Sequence, residues 1–116
     1  MPKKELEFTH YSKFEVEPLN VEGLSQRVIA EDPDTKGVAT RILQFEPGTD
    51  TSPNGVQIHD FWEELVIIEG SIIDLELNKE FKAGDVATRP PGMKHGPWKS
   101  PNGCKIFEVR YYAKGQ

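Results

Sequence analysis

The stretch Gly84-Asp85-Val86-Ala87-Thr88-Arg89-Pro90-Pro91-Gly92-Met93-Lys94-His95 reads as a short strand with a stop at each end. Ala83-Gly84 opens it and Pro90-Pro91-Gly92 closes it, because proline lacks a backbone donor and glycine supplies turn geometry. The same pattern repeats outward from this stretch. Upstream, residues 14–16, 26–30, 38–45, 55–59, 63–68 and 71–77 are candidate strands, and downstream 95–99 and 104–112 follow. Asp32-Pro33-Asp34, Pro47-Gly48 and Asn78-Lys79 separate them, as do two copies of Ser-Pro-Asn-Gly, at 52–55 and 100–103. Asn-Gly is a strong hairpin signal. Short strands at such spacing predict an all-β sandwich or barrel, with at most a helical turn over residues 19–25. Alternation places Ile73, Leu75 and Leu77 on one face, away from Asp74 and Glu76. It likewise separates Phe107, Val109 and Tyr111 from Glu108 and Arg110.

The chain has 116 residues with 36% hydrophobic and 28% charged, the balance of one globular domain over 1–116. Nine prolines and ten glycines argue against a helical bundle. Fourteen Lys and Arg against nineteen Asp and Glu give a net charge of −5, and no basic cluster exceeds Lys3-Lys4. A nucleic-acid partner is therefore not expected. Leu65 to Ile68 is the longest apolar run, too short to span a membrane. No apolar segment follows Lys3-Lys4 as a signal peptide would require. Cys104 is the one cysteine, which fits a reducing compartment, and the cytoplasm is the expected location.

Chemistry concentrates in Gln57-Ile58-His59-Asp60-Phe61-Trp62-Glu63-Glu64. On a strand, Gln57 and His59 share a face. His59 and Glu63 would share a face on a helix, but the β-branched continuation argues against one. On one straight strand they would lie about 13 Å apart, too far to share a metal. They converge only if the chain bends over residues 60–62 and Glu63 opens a new strand, as a closed barrel permits.

The spacing Gly-x5-Pro-x-Gly-x2-His, met at every fixed position by residues 84–95, resembles the second motif of the cupin family. The first motif ends His-x-His, three or four residues, Glu, six residues, Gly. Here His59, Glu63 and Gly70 match it, while Gln57 replaces the first His. Gly48 stands for the opening Gly, with eight residues before Gln57 where the family has five. The resemblance spans residues 38–112 and implies a single-domain jelly-roll barrel. It further implies one divalent transition metal held by His59, Glu63 and His95, with Gln57 as a weaker fourth candidate through its amide oxygen. Two imidazoles and a carboxylate suit iron(II) first, while zinc, manganese or nickel fit the same atoms.

Three functions are compatible with this resemblance. The first is an oxygenase-type enzyme acting on a small carbonyl or enol compound. The second is a non-redox cyclase, isomerase or lyase in which the metal or Glu63, the candidate catalytic residue, handles proton transfer. The third is a ligand-sensing module without turnover. Residues 1–20 form an N-terminal arm whose Phe8, Tyr11, Phe14 and Val16 predict a homodimer contact. His10 lies outside both motifs, and Lys94 and Lys99 read as solvated. Arg41 reads as a surface residue on a strand of reversed facing, Cys104 as a packed thiol, and Trp62, Trp98 and Tyr111 as core aromatics.

Overall fold

One long strand, β5 (Trp62–Asp74), organises the chain. The computed structural model describes residues 3–113. Before β5 come β1 (Glu17–Pro18), β2 (Leu24–Glu31), β3 (Ala39–Phe45) and β4 (Thr49–Asp50). After it come β6 (Lys79–Lys82), β7 (Val86–Arg89), β8 (Trp98–Ser100) and β9 (Cys104–Tyr111). Every pairing is antiparallel, along the path β1-β2-β3-β9-β5-β8-β4, with β6 and β7 also on β5. The first half of β5 pairs with β9 and β7, and its second half with β6 and β8. One strand thus serves both sheets of an all-β, curled jelly-roll.

The corner is made by an irregularity between Ile67 and Glu69, where one residue is left out of the β9 ladder. Gly70 follows at φ 77°, and a Cβ there would stand 2.1 Å from the Gly103 carbonyl oxygen. Only glycine lets the two backbones approach so closely. The extra residue also inverts the pleat. Glu63, Leu65 and Ile67 are buried before it, and Ile72 and Asp74 after it.

That inversion corrects the expected facing of residues 71–77. Leu75 and Leu77 are exposed, and the strand ends at Asp74, whose Oδ1 accepts from the backbone N–H of Glu76 (2.9 Å) and Leu77 (3.0 Å). Residues 63–68 and 71–77 are therefore one strand and a turn, not two strands. The strand expected at 55–59 is a single bridge between Gln57 and His95. The one expected at 14–16 lies instead at Glu17–Pro18, after a 3-10 turn over Tyr11–Lys13. Where residues 19–25 were expected to hold a helical turn, residues 20–23 form a tight turn closed by Leu24 N–H on Val21 C=O (3.1 Å), and β2 starts at Leu24. Two short strands, β4 and β6, carried too little apolar alternation to be read in advance.

Val21, Leu24, Phe45, Leu65, Ile67, Ile72, Cys104 and Ile106 form the apolar core. On β9 the inward residues are Ile106 and Glu108, while Phe107, Val109 and Tyr111 are half-buried on the other face. The barrel interior is thus apolar in one part and charged in another. No helix among the described residues is long and apolar enough to cross a membrane.

Candidate metal centre

Two local devices bring the histidines to Glu63. The chain bends at Asp60 and Phe61 before β5 starts, so Glu63 is the second residue of a new strand and points inward. His59 Nε2 then lies 3.7 Å from Glu63 Oε1, with its ring stacked on Phe61 at 4.7 Å between centroids. The second device is the turn at Pro90–Gly92. Met93 N–H bonds Pro90 C=O at 3.1 Å, and Gly92 N–H bonds His59 C=O at 2.8 Å. His95 then exchanges both backbone hydrogen bonds with Gln57, at 2.7 and 3.0 Å. Its Nδ1 lies 3.3 Å from Met93 C=O, and its Nε2 lies 3.5 Å from Glu63 Oε1.

One donor atom from each of His59, Glu63 and His95 lies within 4.8 Å of the other two. A metal about 2.1 Å from two donors holds them roughly 3.0 to 3.4 Å apart, so the triad needs only a small contraction. Gln57 lines the same cavity. Its Nε2 donates to Asn54 C=O at 3.1 Å, and among the described residues its amide oxygen accepts no hydrogen bond. Arg41, assigned to the surface from sequence, is instead buried in the interior. Its Nε bonds Glu108 Oε1 at 2.9 Å, and one terminal nitrogen bonds Gln26 Oε1 at 2.7 Å. A guanidinium tolerates that position because a buried carboxylate meets it.

The ladder sets Arg89 and Arg110 on either side of Glu63. Arg110 Nε donates to Glu108 Oε1, stands 3.9 Å from Glu63 Oε2, and its guanidinium carbon lies 4.8 Å from the Phe61 ring centroid. Burial pushes the Glu63 carboxyl up to about 7; the Glu108 charge adds to this, and Arg110 and Arg89 oppose it. Burial would also raise Glu108, but Arg41 and Arg110 outweigh it and hold that carboxyl well below its usual range. Burial, reinforced by Arg89, takes His95 down to about 4. His59 is lowered by burial and then by Arg110. Both imidazoles are therefore neutral near pH 7, the form that ligates a metal, and Glu63 is a buried carboxyl without a committed cation. These residues fit a divalent transition metal.

The cavity beside the triad measures about 690 Å³. Leu24, Phe45, Leu65, Ile67 and Ile72 form part of its wall, and Trp98 lines it too. Trp62 and Tyr111 do not line it and stack on each other, with centroids 6.4 Å apart. Sequence reading missed Glu108, Arg110 and Arg89 as interior residues. The usable signal was the Cys104-Ile106-Glu108 alternation, masked by the more apolar Phe107-Val109-Tyr111 set. His10, bonded to Ser12 Oγ at 2.7 Å, is far in sequence from the triad and outside the cavity lining.

No family model and no curated protein sequence matches the chain. Solved structures do. An RmlC-like cupin from Shewanella frigidimarina NCIMB 400 is 20% identical over 99% of this chain and 97% of its own, with TM-score 0.73. A candidate acetylacetone dioxygenase from Methylibium petroleiphilum PM1 is 12% identical over 99% and 85%, with TM-score 0.72. The polyketide cyclase RemF from Streptomyces resistomycificus is 17% identical over 91% and 79%, with TM-score 0.70. Strand order, the corner in β5 and these likenesses lead to one conclusion: the chain has the RmlC-like cupin fold.

Proposed function

We propose that this protein is a metal-dependent enzyme of the oxygenase type, acting on a small carbonyl or enol compound. The observation that carries this reading is the convergence of His59 Nε2, His95 Nε2 and Glu63 Oε1 beside a cavity with largely apolar walls. Three protein donors leave coordination positions for a substrate. Held by His59, Glu63 and His95, an iron(II) ion would supply Lewis acidity toward substrate oxygens and redox capacity toward oxygen.

The chain's own residues do the remaining work. Met93 C=O orients His95, Phe61 backs His59, and Arg110 links Glu63 to the fixed Glu108–Arg41 pair. Leu65, Ile67 and Ile72 keep water from the apolar part of the cavity. The likeness to a candidate acetylacetone dioxygenase supports the substrate class. The test is reconstitution with one equivalent of iron(II) under anaerobic conditions, then oxygen uptake with acetylacetone as probe. Uptake in the iron form and not in the zinc form is expected. Protein that takes up no iron, zinc, manganese or nickel overturns the reading.

A second reading, a non-redox cyclase, isomerase or lyase, draws on the Glu63 carboxyl near 7, a value suited to proton transfer at neutral pH. The likeness to a polyketide cyclase supports it. Turnover of an enolisable ketone by the zinc form, without oxygen, would favour it. For partners we propose a homodimer through the N-terminal arm, on which Phe8 is fully exposed and Leu6 and Val16 are exposed. A cytoplasmic location fits the buried Cys104, whose thiol burial pushes up to about 11.

A further inference from the structure

The three arginines lining the cavity are not equivalent. Arg41 is held by Glu108 and Gln26, and Arg110 by Glu108 with Glu63 nearby. Arg89 is different. Among the described residues it makes no hydrogen bond, and no carboxylate oxygen lies within the 4.0 Å of an ion pair. Its guanidinium carbon sits 5.0 Å from the Trp98 ring centroid. Arg89 is the last residue of β7, paired in the ladder with Glu63, half-buried, and it lines the cavity.

The acids that feel its charge are already engaged. Glu63 faces the two histidines, Glu108 serves Arg41 and Arg110, and Asp74 caps the turn through the N–H groups of Glu76 and Leu77. Burial lowers the Arg89 pKa, so the charge is held at a cost, yet a guanidinium stays protonated. A half-buried guanidinium that lines a cavity and has no protein hydrogen bond or ion pair keeps its donors available to an anion that enters the cavity. The cation–π contact with Trp98 holds the guanidinium carbon at the cavity wall, and its forked nitrogens suit a planar, two-oxygen partner.

The charges around the cavity narrow that partner. Arg41 and Arg110 are both engaged by Glu108, and Lys94, which also lines the cavity, is exposed, so Arg89 is the half-buried cation of the lining that has no ion pair among the described residues. A dianionic phosphate would meet a single free cation with Glu63, Glu108 and Asp74 close by. A carboxylate monoanion matches the one free guanidinium and its fork. We propose that Arg89 recognises a carboxylate on the substrate, so that the cavity takes small carboxylic acids whose apolar part lies against Leu65, Ile67 and Ile72. This inference rests on the cavity being the substrate site, and not on which metal the triad holds.

The test uses chelator-treated protein, so that no metal competes for the anion. Phenylacetate and its neutral isostere phenylacetamide are titrated by calorimetry and by tryptophan fluorescence, which Trp98 reports. Phenylacetate should bind at least tenfold more tightly than the amide, and Arg89→Gln should remove that preference. Arg89→Lys keeps the charge without the fork and should retain part of it. Arg89→Gln should still take up metal. Discrimination of acid from amide in a protein that binds no metal supports Arg89 and removes only the metal reading. Equal binding of acid and amide, unchanged phenylacetate affinity in Arg89→Gln, or no binding of phenylacetate at all overturns the assignment.

Discussion

Arg41 Nε lies 2.9 Å from Glu108 Oε1, joining two buried residues 67 positions apart in sequence. The pair crosses from β3 to β9 and sits directly beside Arg110. Removing one member leaves a buried charge with less compensation, which costs about 3–5 kcal/mol. Glu108→Leu should destabilise more than Arg41→Leu, because it strips two guanidinium groups of their partner. The double variant should lose less than the sum of the singles, since the Arg41 charge is then gone and only Arg110, with Glu63 at 3.9 Å, has lost its Glu108 partner. Urea denaturation of the three variants measures this. Strict additivity would mean that the pair is not coupled. The Glu108 pKa is depressed in the fold, so its contribution is present above about pH 4.5 and is lost as pH falls toward the folded value.

Glu63 works in the opposite sense. Its carboxyl rises from 4.5 to about 7 on folding, so the native state keeps a proton over that window that the unfolded chain has released. Metal-free protein therefore loses stability from this group as pH rises through the window, and the loss is complete above it. Glu63→Gln mimics the protonated form. In chelator-treated samples its advantage over wild type should be near zero at pH 4.5 and grow to on the order of 3 kcal/mol above pH 7. Denaturation at a series of pH values reads this gap directly, and a gap independent of pH would contradict it. Adding metal should reverse the order, because wild type gains binding energy that the variant lacks.

Gln57 shares the cavity with the triad, and its backbone is already bridged to His95. Gln57→His should complete a three-imidazole, one-carboxylate set and tighten metal binding at least tenfold, about 1.4 kcal/mol. A competitive chelator titration at fixed pH checks it. Because another coordination position is filled, turnover that needs open positions should fall. Unchanged affinity and unchanged ligand binding would put Gln57 outside the site.

The N-terminal arm offers a further measurement. Tyr11 OH accepts from Lys105 Nζ at 3.1 Å, and Arg27 donates to the carbonyls of Ser12 and Phe14 at 3.2 and 2.6 Å. These contacts fix the arm while leaving Phe8 in solvent. Light scattering at micromolar concentration should give a dimer mass, and deletion of residues 2–17 should shift it toward the monomer. A monomer mass for the undeleted chain would refute the dimer.

Much of the fold was legible because it rests on local chemistry. Proline, glycine and Asn-Gly stop strands wherever they occur, and the spacing of Gly84, Pro90, Gly92 and His95 carried the cupin resemblance without any knowledge of contacts. His59, Glu63 and His95 were legible for the same reason, since a bend over residues 60–62 is the local requirement for their meeting. The direction each strand faces was a different matter. One extra residue near Ile68 inverts every side chain beyond it, so Ile72 and Asp74 turn inward where alternation pointed to Ile73 and Leu75. A buried ion pair also defeats hydropathy. Arg41 and Glu108 sit inside because each supplies the other's counter-charge across 67 positions, and only the β3–β9 ladder, which sets them opposite each other, decides that they meet.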